Sequence, residues 1–383
     1  MPRKSTVKIA IAGAEYTGWQ SVDIDSDIFT QADAFNFSGV LPVDPEFRQV
    51  MREGVLCDVY IDDDRQMSGV IDRVSIDGKP TGTRVVVDGR DRAAFLVDNE
   101  AKHFKAAKYT IKTLIESLLQ PAWGIRNVIL SNEDNRKLLL GKKDKRSRAG
   151  KAKKTIFGDP LAPRLVTKLD HGMSIANILD DRTRQLGLAW WLTAQGDLFI
   201  GLPNYDQEPA YEFRQFSRGN PKASTNNCSV RVERNIAGRY SKITMAGQGA
   251  SSTSAGNIFD GTTTATKRGK KFSASAEDPD LVARGITREL IVVDNDALSQ
   301  SEVQKHVDWD MGKRRLDALR IYVEYPGMRY EENDRLFAAD TLAHVDFEEG
   351  DISGVFYVVQ RQNLDDGKQQ RTRLTLVEKE VWP

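Results

Sequence analysis

Cysteine is scarce in this chain of 383 residues, and long apolar runs are absent. The two cysteines, Cys57 and Cys228, lie in different halves of the sequence and form no CxxC pair. A disulfide framework or a cysteine-based zinc site is therefore excluded by count. Nowhere do 18 apolar residues run together, so the sequence predicts no membrane-spanning helix and no membrane anchor.

Catalytic and nucleotide-binding motifs are also missing. There is no GxSxG elbow, no GxxxxGK[ST] loop and no GxGxxG turn. The acidic clusters Asp62–Asp64 and Glu331–Glu332 lie in polar, turn-like stretches, which favours solvated turns over paired catalytic carboxylates. The histidines have neither HExxH nor HxH spacing, which favours packing or surface roles for His103, His171, His306 and His344. The sequence therefore predicts no catalytic, cofactor-binding or metal-binding residue, and no enzyme activity.

Charge is balanced overall and concentrated locally. The 55 basic and 55 acidic residues give a formal net charge of zero, which argues against a surface that binds nucleic acid or an anionic membrane throughout. The exception is Gly141–Lys154, "GKKDKRSRAGKAKK", with eight basic residues and one acidic residue. Such a run has no apolar face to bury and predicts a mobile loop. Two roles stay open for it, a solvated loop or an arm that binds phosphate or docks a partner.

The sequence contains one pattern that is repeated near its two ends. "SGVIDRVSIDGKPTGTRVVV" occupies Ser68–Val87, and "SGVFYVVQRQNLDDGKQQRTRLTLV" occupies Ser353–Val377. Each copy alternates apolar residues and predicts a β-hairpin, with its turn at Asp77–Lys79 or Asp366–Lys368. Each is also preceded by a short apolar strand and an acidic turn, "LCDVYIDDDRQM" or "TLAHVDFEEGDI". This shared order indicates one small β-barrel used twice.

The predicted fold class is α+β and mainly β, in three domains. Residues 1–98 contain short strand patterns, beginning with the alternation in "TVKIAIAG", and form the first β-barrel domain. Residues 99–205 form an α/β domain that contains the basic loop, with one amphipathic helix in "TIKTLIESLLQPAWG" and a second that begins after Ser174 and ends before Gly187. Residues 206–383 form a second, discontinuous β-barrel domain. A loop and helix insertion interrupts it at about 247–318, where Ser299 is the predicted N-cap of the helix.

The order of these segments resembles that of the baseplate central hub proteins of contractile-tailed bacteriophages of the Mu-like type. The resemblance rests on "YTGWQSVDIDSDIFTQADAFNFSGV", the hairpin unit, "GRDRAAFLVDNEA", the helix pair with "GLAWWLTAQGDLFIGLPN", and the closing "GVFYVVQRQNLDDGKQQRTRLTLVEKEVW". It spans nearly the whole chain, and its strongest single piece is "GRDR" followed by an apolar pair and Asp98. The basic loop is a departure from the family pattern.

The resemblance implies a structural hub in the virion. Members of this family are implied to form homotrimers whose six barrels adapt the sixfold tail tube to the threefold spike. Implied partners are the trimeric spike, the tail tube and other baseplate proteins, with DNA only in transit through the channel. Assembly in the cytoplasm of the bacterial host is expected. The alternative left by the residues themselves is a polyanion or nucleic-acid-binding module that acts through the basic loop 141–154.

Overall fold

β-Strands dominate the computed structural model of this chain, as the alternating patterns predict. The structure describes residues 3–40, 45–80, 82–101, 107–109, 111–130, 164–166, 172–217, 227–248, 271–294, 300–379 and 381. The basic loop 141–154, His103, His171 and the predicted N-cap Ser299 lie outside the described residues. The predicted mainly β, α+β fold class is confirmed.

The first β domain, called unit 1, is built from seven strands and a short helix, α1 (Pro45–Val50). The strands are β1 (Val7–Ile11), β2 (Ala14–Tyr16), β3 (Ser21–Asp27), β4 (Ala34–Val40), β5 (Leu56–Ile61), β6 (Asp64–Lys79) and β7 (Gly82–Asp91). They lie in the order β3-β4-β7-β6-β5-β1-β2, with every neighbour antiparallel. Alternate residues face one core, where Ile9, Phe37, Val59 and Ile71 are fully buried.

A mixed α/β segment follows unit 1. It contains α2 (Ala94–Asp98), β8 (Ala107–Tyr109), α3 (Ile111–Leu118), β9 (Val128–Leu130), β10 (Arg164–Val166), α4 (Ile175–Leu186), β11 (Ala189–Leu192) and β12 (Leu198–Gly201). The predicted cap of α4 is confirmed, since the Ser174 hydroxyl accepts a hydrogen bond from the Asn177 amide. Gly187 ends this helix in the left-handed conformation, at φ 72°. The apolar faces of α3 and α4 pack into one core.

The second β domain, called unit 2, begins with β13 (Tyr211–Gln215) and β14 (Ser229–Arg234) and is then interrupted. The insertion contains β15 (Lys242–Gln248), β16 (Lys271–Glu277), α5 (Pro279–Ala283), β17 (Glu289–Asp294) and α6 (Gln300–Ala318). Its three strands form a separate sheet in the order β16-β15-β17. Val303, Val307 and Met311 of α6 are buried against that sheet, on the helix face that the sequence predicts.

Unit 2 is completed by the remaining strands. These are β18 (Leu319–Pro326), β19 (Arg329–Tyr330), β20 (Arg335–Leu336), β21 (Thr341–Phe347), β22 (Ile352–Asp365) and β23 (Gln370–Glu378). Its main sheet runs β21-β22-β23-β18-β14, with all of these neighbours antiparallel, and β13 adds to β21 in parallel. Tyrosine and phenylalanine rings fill the core beneath it.

The two units share one topology. The order β5-β6-β7-β4-β3 in unit 1 corresponds strand for strand to β21-β22-β23-β18-β14 in unit 2, in the same chain order. Both predicted hairpins are therefore present, as β6-β7 and β22-β23. Within the described residues no strand pairing closes either unit, so each is an open, barrel-like sheet.

The Ser-Gly-Val motif that opens each copy has a structural counterpart. The Ser68 hydroxyl donates to Asp58 on the preceding strand at 2.8 Å, and the Ser353 hydroxyl donates to Asp346 at 2.6 Å. Each serine is also the direct cross-strand partner of its aspartate. Gly69 is required by close packing, because a Cβ there would lie 2.6 Å from a backbone oxygen of β7.

One detail of the hairpin prediction is wrong. Asp77–Lys79 does not form the first turn, because β6 continues through these residues and Lys79 pairs with Gly82. Pro80 follows directly, and proline lacks the amide hydrogen that would extend the strand pairing, so the chain reverses there instead. In the second hairpin Asp366–Lys368 does form the turn, with Gly367 at φ 80°.

Candidate assembly interface

Units 1 and 2 are joined by a strand pairing that makes their sheets continuous. Strand β22 is divided between two neighbours: Ile352–Val358 pairs with β21, and Gln360–Asp365 pairs with β3 of unit 1. A bulge at Val359 separates the two halves. Strand β3 is thereby covered on both edges, by β4 and by β22.

Amide side chains hold the register of this joint. Gln360 Nε2 donates to both carboxylate oxygens of Asp25, at 2.9 and 3.1 Å. Gln362 Nε2 does the same to Asp23, at 3.0 and 3.1 Å. Hydrogen bonds to ionised acceptors are stronger than those between neutral groups, so these four contacts favour one alignment of β22 on β3.

The turn after β18 adds a second contact between the units. Met328, which belongs to unit 2 by sequence, is fully buried in the apolar core of unit 1. The next residue, Arg329, places its guanidinium 2.9 Å from Asp62 Oδ2 and 2.9 Å from Asp64 Oδ2. Burial raises the pKa of Asp62, but the Thr6 amide and Arg329 outweigh it and hold that pKa below its usual value.

A buried polar cluster lies beside the joint. Arg361 of β22 is 4% exposed and donates to Asn363, whose amide donates to Thr372 Oγ1 at 2.9 Å. Burial lowers the pKa of Arg361, opposed by the nearby carboxylates of Asp33 and Asp25. Arg361 Nε has no hydrogen-bond partner within the described residues. Such a charge tolerates burial only because carboxylates face it.

Two aspartates of unit 1, Asp33 and Asp91, line a pocket of about 510 Å³ together with this arginine. Burial raises the pKa of Asp33 to about 7, although the Ser26 hydroxyl and the Asp27 amide donate to its carboxylate. Burial, followed by the negative charge of Asp33, also raises the pKa of Asp91 well above its ordinary value. The lining residues come from both units and from β11, so we assign the pocket to the joint.

The strands that correspond to β22 and β3 in the other copy of the repeat, β6 and β14, have edges without a strand neighbour among the described residues. The first half of β6 pairs with β5, but Arg73–Lys79 has β7 as its sole strand neighbour in the described structure. Strand β14 likewise pairs with β18 along one edge only. Ile76, in the open half of β6, is 50% exposed. These two open edges and the β3–β22 joint form the candidate assembly interface.

The structure brings one possible set of metal ligands together. Ligand atoms of Glu212, His344 and Asp346 lie within 4.8 Å of one another, the one such cluster in the described part of the chain. Both carboxylates already have partners, since Arg214 Nε donates to Glu212 at 2.7 Å and the Ser353 hydroxyl donates to Asp346. His344 is half-buried, and its Nδ1 lies 3.5 Å from Asp346 Oδ2 without a hydrogen-bond partner in the described part of the chain. Nothing in this geometry selects a metal ion over the existing contacts.

The two cysteines are buried free thiols. Burial raises the pKa of Cys57 to about 12 and that of Cys228 to about 11, so neither forms a reactive thiolate near neutral pH. Helices long and apolar enough to cross a membrane are not found in the described ranges.

The fold is that of phage tail proteins. A tail protein from Neisseria meningitidis MC58 has 22% sequence identity and a TM-score of 0.74, with 99% of this chain and 98% of that chain covered. The 43 kDa tail protein of prophage MuSo2 from Shewanella oneidensis has 17% identity and a TM-score of 0.71, with coverage of 99% and 100%. The E. coli c3393 protein, a component of the type VI secretion system, has 9% identity and a TM-score of 0.52, covering 98% of this chain and 78% of that one.

The N-terminal part also matches a family model at the level of sequence. Residues 6–91, which span most of unit 1, match the family model of the N-terminal domain of the Mu phage baseplate assembly protein GpP-like. The predicted resemblance to the baseplate hub proteins of Mu-like phages is confirmed. The comparison with curated proteins found no match.

Proposed function

We propose that this chain is the structural hub of a phage tail baseplate. Three copies form a ring of six barrel-like units, which adapts the sixfold tail tube to the threefold spike and forms part of the channel through which DNA passes. The observation that carries this proposal is the repeated unit itself: two units of one topology, joined edge to edge within one chain.

Symmetry makes the repeat useful in this role. A contact between unequal surfaces of neighbouring subunits must close into a ring or continue into a filament. With two similar units per chain, three chains supply six similar positions to a hexameric tube and keep true threefold symmetry for a trimeric spike. The fold that this chain shares with phage tail proteins supports its place in the virion. Its proposed partners there are the tube, the spike and other baseplate proteins.

The same proposal assigns the domains and excludes catalysis. We place the boundaries at 1–98, 99–205 and 206–383, with an insertion at about 247–318. Each part supplies most of one apolar cluster, although Leu96 packs with the second part and Met328 with the first. We assign no catalytic residue, cofactor or metal to the chain. The alternative role in polyanion binding falls on the basic loop 141–154, which lies outside the described residues.

The decisive experiment is a symmetry measurement. Electron cryomicroscopy of the baseplate or of the purified oligomer is expected to show three copies of this chain in one ring with six similar density lobes. A twofold dimer, or six copies in the ring, would refute the trimeric hub. Retention on DNA at increasing salt, compared between the native chain and a variant with Gly141–Lys154 replaced by a Gly/Ser linker, tests the alternative, because phosphate contacts weaken steeply with salt.

A further inference from the structure

We infer that the ring is closed by pairing β14 of one chain with the second half of β6 in the next chain. This inference rests on the proposed ring and names the surface that holds it together. Among the described residues, β14 pairs with β18 alone and the second half of β6 pairs with β7 alone. An unpaired edge is a template for another strand. The partner is therefore a second copy of this chain, which carries the complementary edge.

The joint inside the chain is the template for this contact. Along one edge, the first half of β22 pairs with β21 and its second half, Gln360–Asp365, pairs with β3. Strand β6 occupies the position of β22 in unit 1, gives its first half to β5 and leaves Arg73–Lys79 open. Strand β14 occupies the position of β3 in unit 2 and has one open edge. The open edge of β14 in unit 2 is therefore complementary to the open half of β6 in unit 1.

The bulges set the register of the proposed contact. Asp72 in β6 and Val359 in β22 are the bulged residues, and each marks where its strand leaves its first neighbour. When β6 is aligned with β22 so that Asp72 matches Val359, Arg73 matches Gln360. The same alignment extends through the next strands, from β7 and β4 to β3 in unit 1 and from β23 and β18 to β14 in unit 2. In this alignment Val232 matches Ile24.

In this register the apolar side chains face each other. Ile24 lies opposite Asn363 in the internal joint, so Val232 is placed opposite Ile76 in the new contact. Ile76 is 50% exposed and Val232 is half-buried. Pairing them covers apolar surface that the single chain leaves in water, and β-branched cross-strand pairs stabilise antiparallel sheets.

Charge complementarity also selects this register. Asp77 is placed opposite Arg231, and Arg73 is placed diagonally from Glu233, as Gln360 is from Asp25 in the internal joint. In the single chain, Arg73 bonds Asp88 and Arg231 bonds Glu233, with both arginine side chains at least 70% exposed. These surface ion pairs are weak and can rearrange or be shared across the contact.

Disulfide cross-linking tests the contact. The variant Asp77→Cys/Arg231→Cys places thiols on residues predicted to be direct cross-strand partners, within the Cα separation that a disulfide spans. The matched control, Arg73→Cys/Ser229→Cys, uses the same two strands but separates the thiols by six residues of register, roughly 20 Å. The native thiols are buried and stay unreactive. Both variants change exposed side chains, and unchanged urea midpoints will show that they fold.

Purified protein is oxidised with copper phenanthroline and separated on denaturing gels with and without reductant. We expect the Asp77→Cys/Arg231→Cys variant to form covalent trimer, at least tenfold more than the control. Mixing the two single-cysteine variants, Asp77→Cys and Arg231→Cys, should give cross-linked dimer and no larger product. Absence of cross-links, or equal cross-linking in the control, would overturn the strand assignment.

The outcomes separate this inference from the proposed function. A threefold particle without a selective cross-link would retain the trimeric hub and refute the β14–β6 contact. A selective cross-link whose products stop at dimer or extend far beyond trimer would retain the contact and refute the three-chain ring.

Discussion

Replacing Met328 with alanine is expected to lower the free energy of unfolding by about 2–5 kcal/mol. The methionine side chain is fully buried in the core of unit 1, although it projects from a turn of unit 2. Loss of its apolar transfer free energy accounts for roughly 1.5–3 kcal/mol, and the cavity left behind adds the rest because the surrounding strands relax only in part. A substitution in unit 2 should therefore destabilise the packing of unit 1.

Urea unfolding followed by tryptophan fluorescence measures this effect. Met328→Leu is the matched control, since a volume-conserving apolar change in a core costs less than about 1.5 kcal/mol. Hydrogen exchange will locate the loss, which we expect as faster exchange of the unit 1 strands around Met328 in the alanine variant. An alanine variant destabilised by less than about 1 kcal/mol, or a leucine variant destabilised equally, would refute the assignment of Met328 to the core of unit 1.

Three further changes test other parts of the fold. Gly89→Ala should lower the free energy of unfolding by roughly 1–3 kcal/mol or more, because the added Cβ would lie 2.2 Å from the Phe35 ring and 2.4 Å from a β6 carbonyl oxygen; a stable variant would show that this packing is wrong. Ser174→Ala should cost about 1 kcal/mol in thermal unfolding by removing the cap of α4, whereas Ser174→Asp should retain most of it. The raised pKa of Asp33 means that the folded state holds its proton more tightly than the unfolded chain, so this group's contribution to stability is present below about pH 4 and is lost as pH rises to about 7. Asp33→Asn should flatten the pH dependence in that window, and parallel curves for the two proteins would contradict the assignment.

Periodicity predicted the elements that are set by local sequence. The α4 helix was identifiable because Ser174 and Gly187 bracket one apolar face, and both hairpins were identifiable because their residues alternate. The sequence misplaces the turn at Asp77–Lys79 because both copies contain Asp-Gly-Lys, while Pro80 shifts the chain reversal in the first copy alone. The repeated topology could be inferred because strand order and turn order were both conserved between the copies.

The interface itself could not be predicted in this way. Pairing β3 with β22 joins residues more than 330 positions apart, and no local pattern specifies such a partner. Arg361 and Asn363 occupy inward positions of β22, where alternation alone predicts apolar residues. Their burial depends on carboxylates and hydroxyls brought from other strands. Met328 lies in a short turn that reads as surface, and its burial depends on the core of the other unit.

Carrying both units on one polypeptide changes the entropy of building the proposed ring. Six separate units would need five associations to form one ring, and each would lose translational and rotational freedom worth roughly 4–15 kcal/mol. Three chains that each carry two units need only two associations. The β3–β22 joint forms during folding of a single chain, where its strands are held near each other at any protein concentration. In the proposed ring, weak edge contacts between chains can then suffice for assembly even at low protein concentration.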